Sequence, residues 1–228
     1  MESQLKAIVQ KGFKLPRDHK SHLFSIAGPV GAGKSTLLST LNLKGVHKVQ
    51  EDVALLQRNE LLEQYCKDPK RHAFDLQVRA FTSRINCIMS VWNAQDKIVA
   101  ERTVMDDAFV FALHNAQIGN MSESEMCTYI DIFQLLYTHF GACYTPEKIV
   151  YLKATTDICM DRIASRGRPG ENSYTREYME AHVAAYDHMI AFIQEKLDVK
   201  VMVVDASISN STQSYRELLE KIEAFLIE

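Results

Sequence analysis

Five short runs rich in β-branched and aromatic residues punctuate the chain: LFSIAG at 23–28, VHKVQ at 46–50, KIVAERT at 97–103, KIVYLKA at 148–154 and KVMVVDA at 200–206. Runs of this length and make-up predict strands. The stretches between them are longer and change to a helical period. Phe74, Val78, Phe81, Ile85 and Met89 trace one apolar face of a helix predicted over 74–92. Helices are also predicted over 34–43, 121–140, 177–197 and 214–227. Strands alternating with helices predict an α/β fold, a five-stranded parallel sheet flanked by helices. Ligands of such sheets bind beyond the C-terminal strand ends. That rule selects residues 28–35, Glu51 with Asp52, and residues 101–107, all rich in polar side chains. Residues 1–20 read as an extension ahead of one domain over 21–228.

Composition narrows the classes. The 228 residues carry 26 basic and 29 acidic side chains, a net charge of −3. A chain that wraps nucleic acid shows a basic excess, so no nucleic-acid polymer is expected as partner. No apolar run approaches the ~20 residues that cross a bilayer, and no membrane partner is expected. The first twenty residues lack the apolar centre of a secretory signal. Glu2 and Asp18 among four Lys and one Arg make a poor transit peptide, so a cytoplasmic enzyme is expected. The five cysteines, Cys66, Cys87, Cys127, Cys143 and Cys159, form no CxxC pair. They read as small buried hydrophobes in a reducing compartment, not as a disulfide or zinc framework.

The first strand runs into Gly28-Pro29-Val30-Gly31-Ala32-Gly33-Lys34-Ser35-Thr36, which satisfies G-x-x-x-x-G-K-[ST] in strand–loop–helix context. Glycines let successive N–H groups turn inward as a nest for phosphate oxygens. Gly28, Gly31, Ala32, Gly33, Lys34, Ser35 and Thr36 are therefore expected to bind ATP, with Lys34 on the β- and γ-phosphates and the Ser35 hydroxyl on Mg²⁺. The loop alone does not say where a phosphate goes. A GTPase needs N-K-x-D after a strand. Asn93-Ala94-Gln95-Asp96 lacks the lysine and precedes a strand, so it reads as a turn.

Three further features describe an acceptor side. Glu101-Arg102-Thr103 ends a central strand, where a carboxylate can hold Mg²⁺ and a guanidinium can bridge acceptor oxygen and phosphate. Glu51 ends the preceding strand and can accept a hydroxyl proton; taken alone, it is as readily a solvated strand-end charge. Arg162 and Arg166 lie one helical turn apart and Arg168 follows Gly167, three arginines on one flap. Such a flap suits a lid that neutralises phosphoryl charge and excludes water.

The set GPVGAGKST, Glu51, FDLQVRAFTSR, ERTVMDD and RIASRGRPGE resembles the deoxynucleoside kinases of the deoxycytidine, deoxyguanosine and insect multisubstrate type, from about Leu23 to the C-terminus. The resemblance implies a P-loop kinase with an arginine-rich lid that phosphorylates a deoxynucleoside 5′-hydroxyl with ATP and Mg²⁺, usually as a homodimer. It implies Glu51 as general base, Arg102 near the 5′-oxygen, Glu101 on the magnesium side, and Arg162, Arg166 and Arg168 in the lid. Glu171 would hold the sugar 3′-hydroxyl, Tyr65 would contact the sugar, and Gln77 would hydrogen-bond the base, a role suited to a carboxamide's donor and acceptor. Phe81, one turn on, is expected either to line the base pocket or to pack in the core.

Ala80, Arg84 and Asp107 stand where base choice is set in that family. An Arg–Asp pair at the pocket floor implies deoxycytidine and deoxypurines over thymidine, because a wrong base leaves buried polar groups unpaired. The chain departs from the pattern in three places. Tyr65 lies twelve residues before Gln77 where the family has eleven, Thr103 replaces a frequent Ser, and Ala108 follows Asp107 where relatives often carry Arg. The alternatives left open are a thymidine-accepting kinase, a nucleoside monophosphate kinase and a nucleotide-gated binding protein.

Overall fold

The computed structural model describes residues 1–13, 22–52, 54, 60–92, 97–168, 171, 174–208 and 213–227, with the side chains of 141–143 excepted. All five predicted strands form, as β1 (His22–Ala27), β2 (Val46–Val49), β3 (Lys97–Glu101), β4 (Lys148–Lys153) and β5 (Lys200–Asp205). They make one parallel sheet in the order β2-β3-β1-β4-β5. Side chains alternate between its faces. Ile149 and Tyr151 of β4 join one core cluster, and Val150 and Leu152 join the other. Both faces are therefore covered, as parallel sheets require.

The helices are α1 (Glu2–Phe13), α2 (Lys34–Thr40), α3 (Leu61–Lys67), α4 (Pro69–Ser90), α5 (residues 104–117), α6 (Glu123–Tyr144), α7 (Thr156–Arg166), α8 (Arg176–Lys196) and α9 (Gln213–Ile227). The middle of α5, Asp107–Ala112, is π-helical. Sequence periodicity missed α5 because VMDDAFVFA is buried all round and has no polar face to mark a period. It also starts α4 five residues late. Asp68 caps that helix by accepting from the Arg71 N–H, and Pro69 stands at its first turn, where a missing N–H costs nothing. Of the expected face of α4, Phe81 is buried and Phe74, Val78 and Ile85 pack against the same core, while Met89 is exposed. The buried surface is wider than the apolar stripe and takes in the polar Gln77, Ser83 and Arg84.

Two other expectations change. Helix α1 lies within residues 1–20, yet Leu5 and Val9 are fully buried in the main core, and α1 packs along α6. Of the four described cysteines only Cys159 is buried. Cys66 and Cys87 are half-buried and Cys127 is exposed. Residues 93–96, read as a turn, lie outside the described residues.

Strand register brings the selected segments to one edge. Ile26 pairs with Glu101 and Val150, and Val49 pairs with Ala100. The residues just past β1, β2 and β3 (the glycine loop, Glu51 and Arg102) therefore emerge together. Replacing Leu5 by Ala is expected to cost about 2–5 kcal/mol in urea denaturation. A loss under about 1 kcal/mol would put α1 outside the cooperative unit.

Candidate active site

The glycine loop is fixed by contact with its neighbours. Gly31 has φ +84°, and a Cβ there would lie 2.6 Å from the Cys159 carbonyl oxygen of α7. Gly28 has φ +152° and faces the Leu152 carbonyl just as closely, at 2.8 Å. Only glycine fits either backbone. Inside the loop the Lys34 ammonium donates to the Gly28 and Pro29 carbonyls, both at 2.8 Å. Burial, and after it the charge of Arg102, push Lys34 down to about 7. The Ser35 hydroxyl donates to Glu101 Oε1 at 3.0 Å, joining the first turn of α2 to the end of β3.

Beyond β3 the chain turns sharply. Arg102 has φ +65°, a left-handed backbone uncommon for a side chain of its size. Its N–H still donates to the Ile26 carbonyl, extending the sheet by one bond. Thr103 then opens α5 with a capping box, accepting from the Met105 N–H while Asp106 accepts from the Thr103 N–H. The turn drives the Arg102 guanidinium inward. Nη1 donates to Glu51 Oε2 at 2.6 Å, Nε donates to the Tyr186 hydroxyl at 3.1 Å, and the group lies over the Phe111 ring.

Arg84 completes the cluster. It donates to Asp107 through Nε at 2.7 Å and Nη2 at 2.9 Å, to Glu51 Oε1 at 3.0 Å, and to the Glu101 carbonyl at 3.1 Å. Burial alone would raise the Glu51 pKa. The two guanidiniums, Arg102 ahead of Arg84, outweigh it and hold the carboxyl well below the usual carboxylate range. Arg84 itself is raised, by Asp107 first and then Glu51, against the opposing effect of burial.

These groups line one cavity of about 950 Å³. It runs from the glycine loop past Glu51 to Gln77, Ala80, Arg84 and Asp107, and Tyr65, Glu171, Arg166 and Arg168 close its sides. The buried Gln77 Oε1 has no hydrogen-bond partner among the described residues. A buried acceptor left open is costly unless something arrives to fill it. Tyr65 donates to Asn115 Oδ1 at 2.9 Å. Arg162 reaches the Ala32 and Ala206 carbonyls at 3.0 and 2.7 Å, and so braces the loop against the end of β5. Arg166 grips Glu171 through both carboxylate oxygens at 2.7 Å, and Arg168 adds a contact at 3.3 Å. Pro169 and Gly170 of the expected flap lie outside the described residues.

Of the site residues anticipated from sequence, Gly28 and Phe81 do not line the cavity. Gly28 shapes the loop from behind. Phe81 takes the core alternative, packing on Tyr129 and Phe133 with ring centroids 5.7 and 6.0 Å away. Sequence reasoning missed Phe111, Asn115, Tyr178 and His182. Phe111 and Tyr178 line the cavity, Asn115 orients Tyr65, and His182 accepts from the loop's Val30 N–H. The i, i+4 spacing of Tyr174, Tyr178, His182 and Tyr186 was the available signal for that face of α8.

The residues fit a magnesium nucleotide. Among the described residues no three His, Cys, Asp or Glu side chains gather as a closed metal site. Ser35 and Glu101 instead offer two adjacent hard oxygens, the partial shell that Mg²⁺ accepts while keeping water and phosphate ligands.

A family model described as deoxynucleoside kinase matches residues 24–227. The chain belongs to the deoxynucleoside kinase family. It is a phosphotransferase. Among deoxynucleoside kinases it is 34% identical over 156 residues to the probable deoxycytidine kinase of fowlpox virus, covering 68% of this chain and 66% of the viral protein. It is 27% identical to the Bacillus subtilis deoxyadenosine/deoxycytidine kinase, over 91% of this chain and 94% of that one. Human deoxycytidine kinase shows the same 27% identity over 89% and 90%. A solved deoxyadenosine kinase from M. mycoides superposes with a TM-score of 0.70 at 27% identity, covering 90% of this chain and 98% of that one. The five-stranded parallel α/β sheet of this chain thus shares the fold of a solved deoxynucleoside kinase.

The charge cluster predicts a pH-dependent stability. The folded Glu51 pKa lies below the ordinary 4.5, so its pairing stabilises the native state above about that pH and is lost as pH falls further. Urea titrations should therefore show wild type more stable than Glu51→Gln at pH 7, with the difference shrinking toward pH 3. A difference independent of pH would rule out the ionic origin.

Proposed function

We propose that the protein transfers the γ-phosphoryl group of ATP to the 5′-hydroxyl of deoxynucleosides, favouring deoxycytidine and deoxypurines over thymidine. The observation that carries this reading is the single cavity joining the glycine loop to the open Gln77 acceptor and the Arg84–Asp107 pair. One end suits a polyphosphate and the other a flat, polar-edged base. The relatives and the structural neighbour point the same way: they are known as deoxycytidine and deoxyadenosine kinases, the viral one as a probable deoxycytidine kinase.

On this reading Gly31 to Thr36 hold the donor phosphates, with Gly28 shaping the loop behind them. Gln77 meets the base edge, beside Arg84 and Asp107, and Phe111 covers its face. Tyr65 and Glu171 hold the sugar hydroxyl. Mg²⁺, held by Ser35 and Glu101, would neutralise charge across the β- and γ-phosphates. Glu51 takes the 5′-hydroxyl proton as that oxygen bonds to the γ-phosphorus, while the bond from phosphorus to the bridging oxygen breaks and ADP leaves. A carboxylate held far below the usual range is a weak base. A loose phosphoryl transfer asks more for position than for basicity, and Arg102 and Arg84 supply the position. Arg162, Arg166 and Arg168 would stabilise the charge on the group in transit. Homodimeric assembly and residence in the cytoplasm complete the proposal. The exposed apolar Leu135 and Phe140 on α6 suit the former.

Activity measured with ATP and Mg²⁺ against four deoxynucleosides, four ribonucleosides and their monophosphates tests this reading. Deoxycytidine, deoxyadenosine or deoxyguanosine should give the highest kcat/KM. A higher value for thymidine would overturn the base assignment, and preference for monophosphates would overturn the acceptor class. Glu51→Gln should lower kcat about 10²-fold or more while ATP still binds. Near-normal turnover would remove Glu51 as base.

A further inference from the structure

Helix α8 and the residues just before it carry a ladder of rings. Tyr174 stacks on Tyr178 at 5.1 Å, Tyr178 stacks on His182 at 5.9 Å, and His182 meets Tyr186 edge-on at 5.3 Å. Phe111 of α5 closes the remaining side of His182 at 4.8 Å. The imidazole is fully buried. Its Nε2 accepts a hydrogen bond from the Val30 N–H at 3.3 Å, across 152 residues of sequence.

That bond fixes the chemistry of the ring. An imidazole accepting at Nε2 is neutral and carries its proton on Nδ1. Nδ1 is buried and has no partner among the described residues. A ring kept only to fill space would do better as an apolar side chain, because an unpartnered buried donor is unfavourable. The acceptor at Nε2 is what the site gains from histidine. Val30 stands beside Gly31, whose backbone rests against Cys159. The loop is thus held by α7 on one flank and by His182 on the other. The surroundings keep the ring neutral: burial first, then the nearby charges of Arg102 and Lys34, with His114 of α5 adding to them. The hydroxyl-bearing rings facing it are Tyr178 and Tyr186 of its own helix.

We propose that His182 is a positioning residue for the glycine loop, holding the Val30 amide so that the loop keeps the shape that receives the donor's phosphates. This rests on the reading of the loop as the ATP site. It assigns a role in donor affinity to a residue that touches neither substrate.

Two measurements test it. In ¹⁵N spectra of the nucleotide-free wild type, His182 should show the Nδ1–H tautomer with an unprotonated Nε2 from pH 6 to 8. An Nε2–H tautomer or a cationic ring overturns the proposal. Calorimetry then compares two variants for MgATP and, separately, for deoxycytidine. His182→Gln keeps an acceptor within reach of Val30 and should bind MgATP within about twofold of wild type. His182→Met, similar in bulk without that acceptor, should bind it roughly three- to tenfold more weakly, the size of one neutral hydrogen bond. Deoxycytidine affinity should be unchanged in both. Equal MgATP affinity of the two variants, or parallel weakening of both ligands, makes His182 merely structural. Should His182→Met fail to fold, a loss beyond about tenfold in His182→Gln still overturns the proposal. Wild type that binds MgATP but phosphorylates no deoxynucleoside would defeat the proposed function and leave this role standing.

Discussion

Two arginines and two carboxylates meet beside the cavity: Arg84, Arg102 and Asp107 are buried, and Glu51 is half-buried against them. An unpaired charge at the buried positions would be far more costly than the contacts around it could offset. As a set they are neutral. Arg84 is the hinge, bound to both carboxylates and to the Glu101 carbonyl. Through them α4, α5 and the ends of β2 and β3 are tied at one point. Removing any one member strands the others, so the cluster behaves as a unit.

The backbone is bent to serve that unit. Arg102 adopts a left-handed conformation, a strain on the order of 1–3 kcal/mol, where the strand could have continued. The turn lets one residue extend the sheet through its N–H, meet Glu51 through its guanidinium and rest on Phe111 and Tyr186. The π-helical turn beginning at Asp107 follows at once. Irregular backbone is thus concentrated where the charged groups converge, and the sheet and outer helices stay regular.

Strands were legible in the sequence because both faces of a parallel sheet are apolar, and runs such as LFSIA have few other uses. The glycine loop was legible because its backbone demands glycine at Gly28 and Gly31. The polar part of the buried face of α4 was not, because Gln77 and Arg84 lie beside the apolar stripe, where a pattern-based reading expects solvent-facing side chains. Helix α5 escaped notice because burial on every side erases the period. Glu51, Gln77 and Asp107 came into view together only through family resemblance, since nothing local links residues so far apart. Asn115 and His182 stayed hidden for the same reason: their partners, Tyr65 and Val30, are 50 and 152 residues away. The choice between pocket and core for Phe81 turned on the Tyr129 and Phe133 rings of α6, which no local reading could supply.

Glu171 is almost wholly buried, and Arg166 and Arg168 between them engage both of its oxygens. An anion that draws those arginines away leaves behind a carboxylate seeking a donor, and a hydroxyl that satisfies the carboxylate frees the arginines. If both are bound as proposed, the two events would favour one another through a shared ion pair, with only side chains rearranged, and thermodynamic reciprocity would make the benefit equal in both directions. Charge exchange at this one side chain would then couple occupancy of the cavity's two ends.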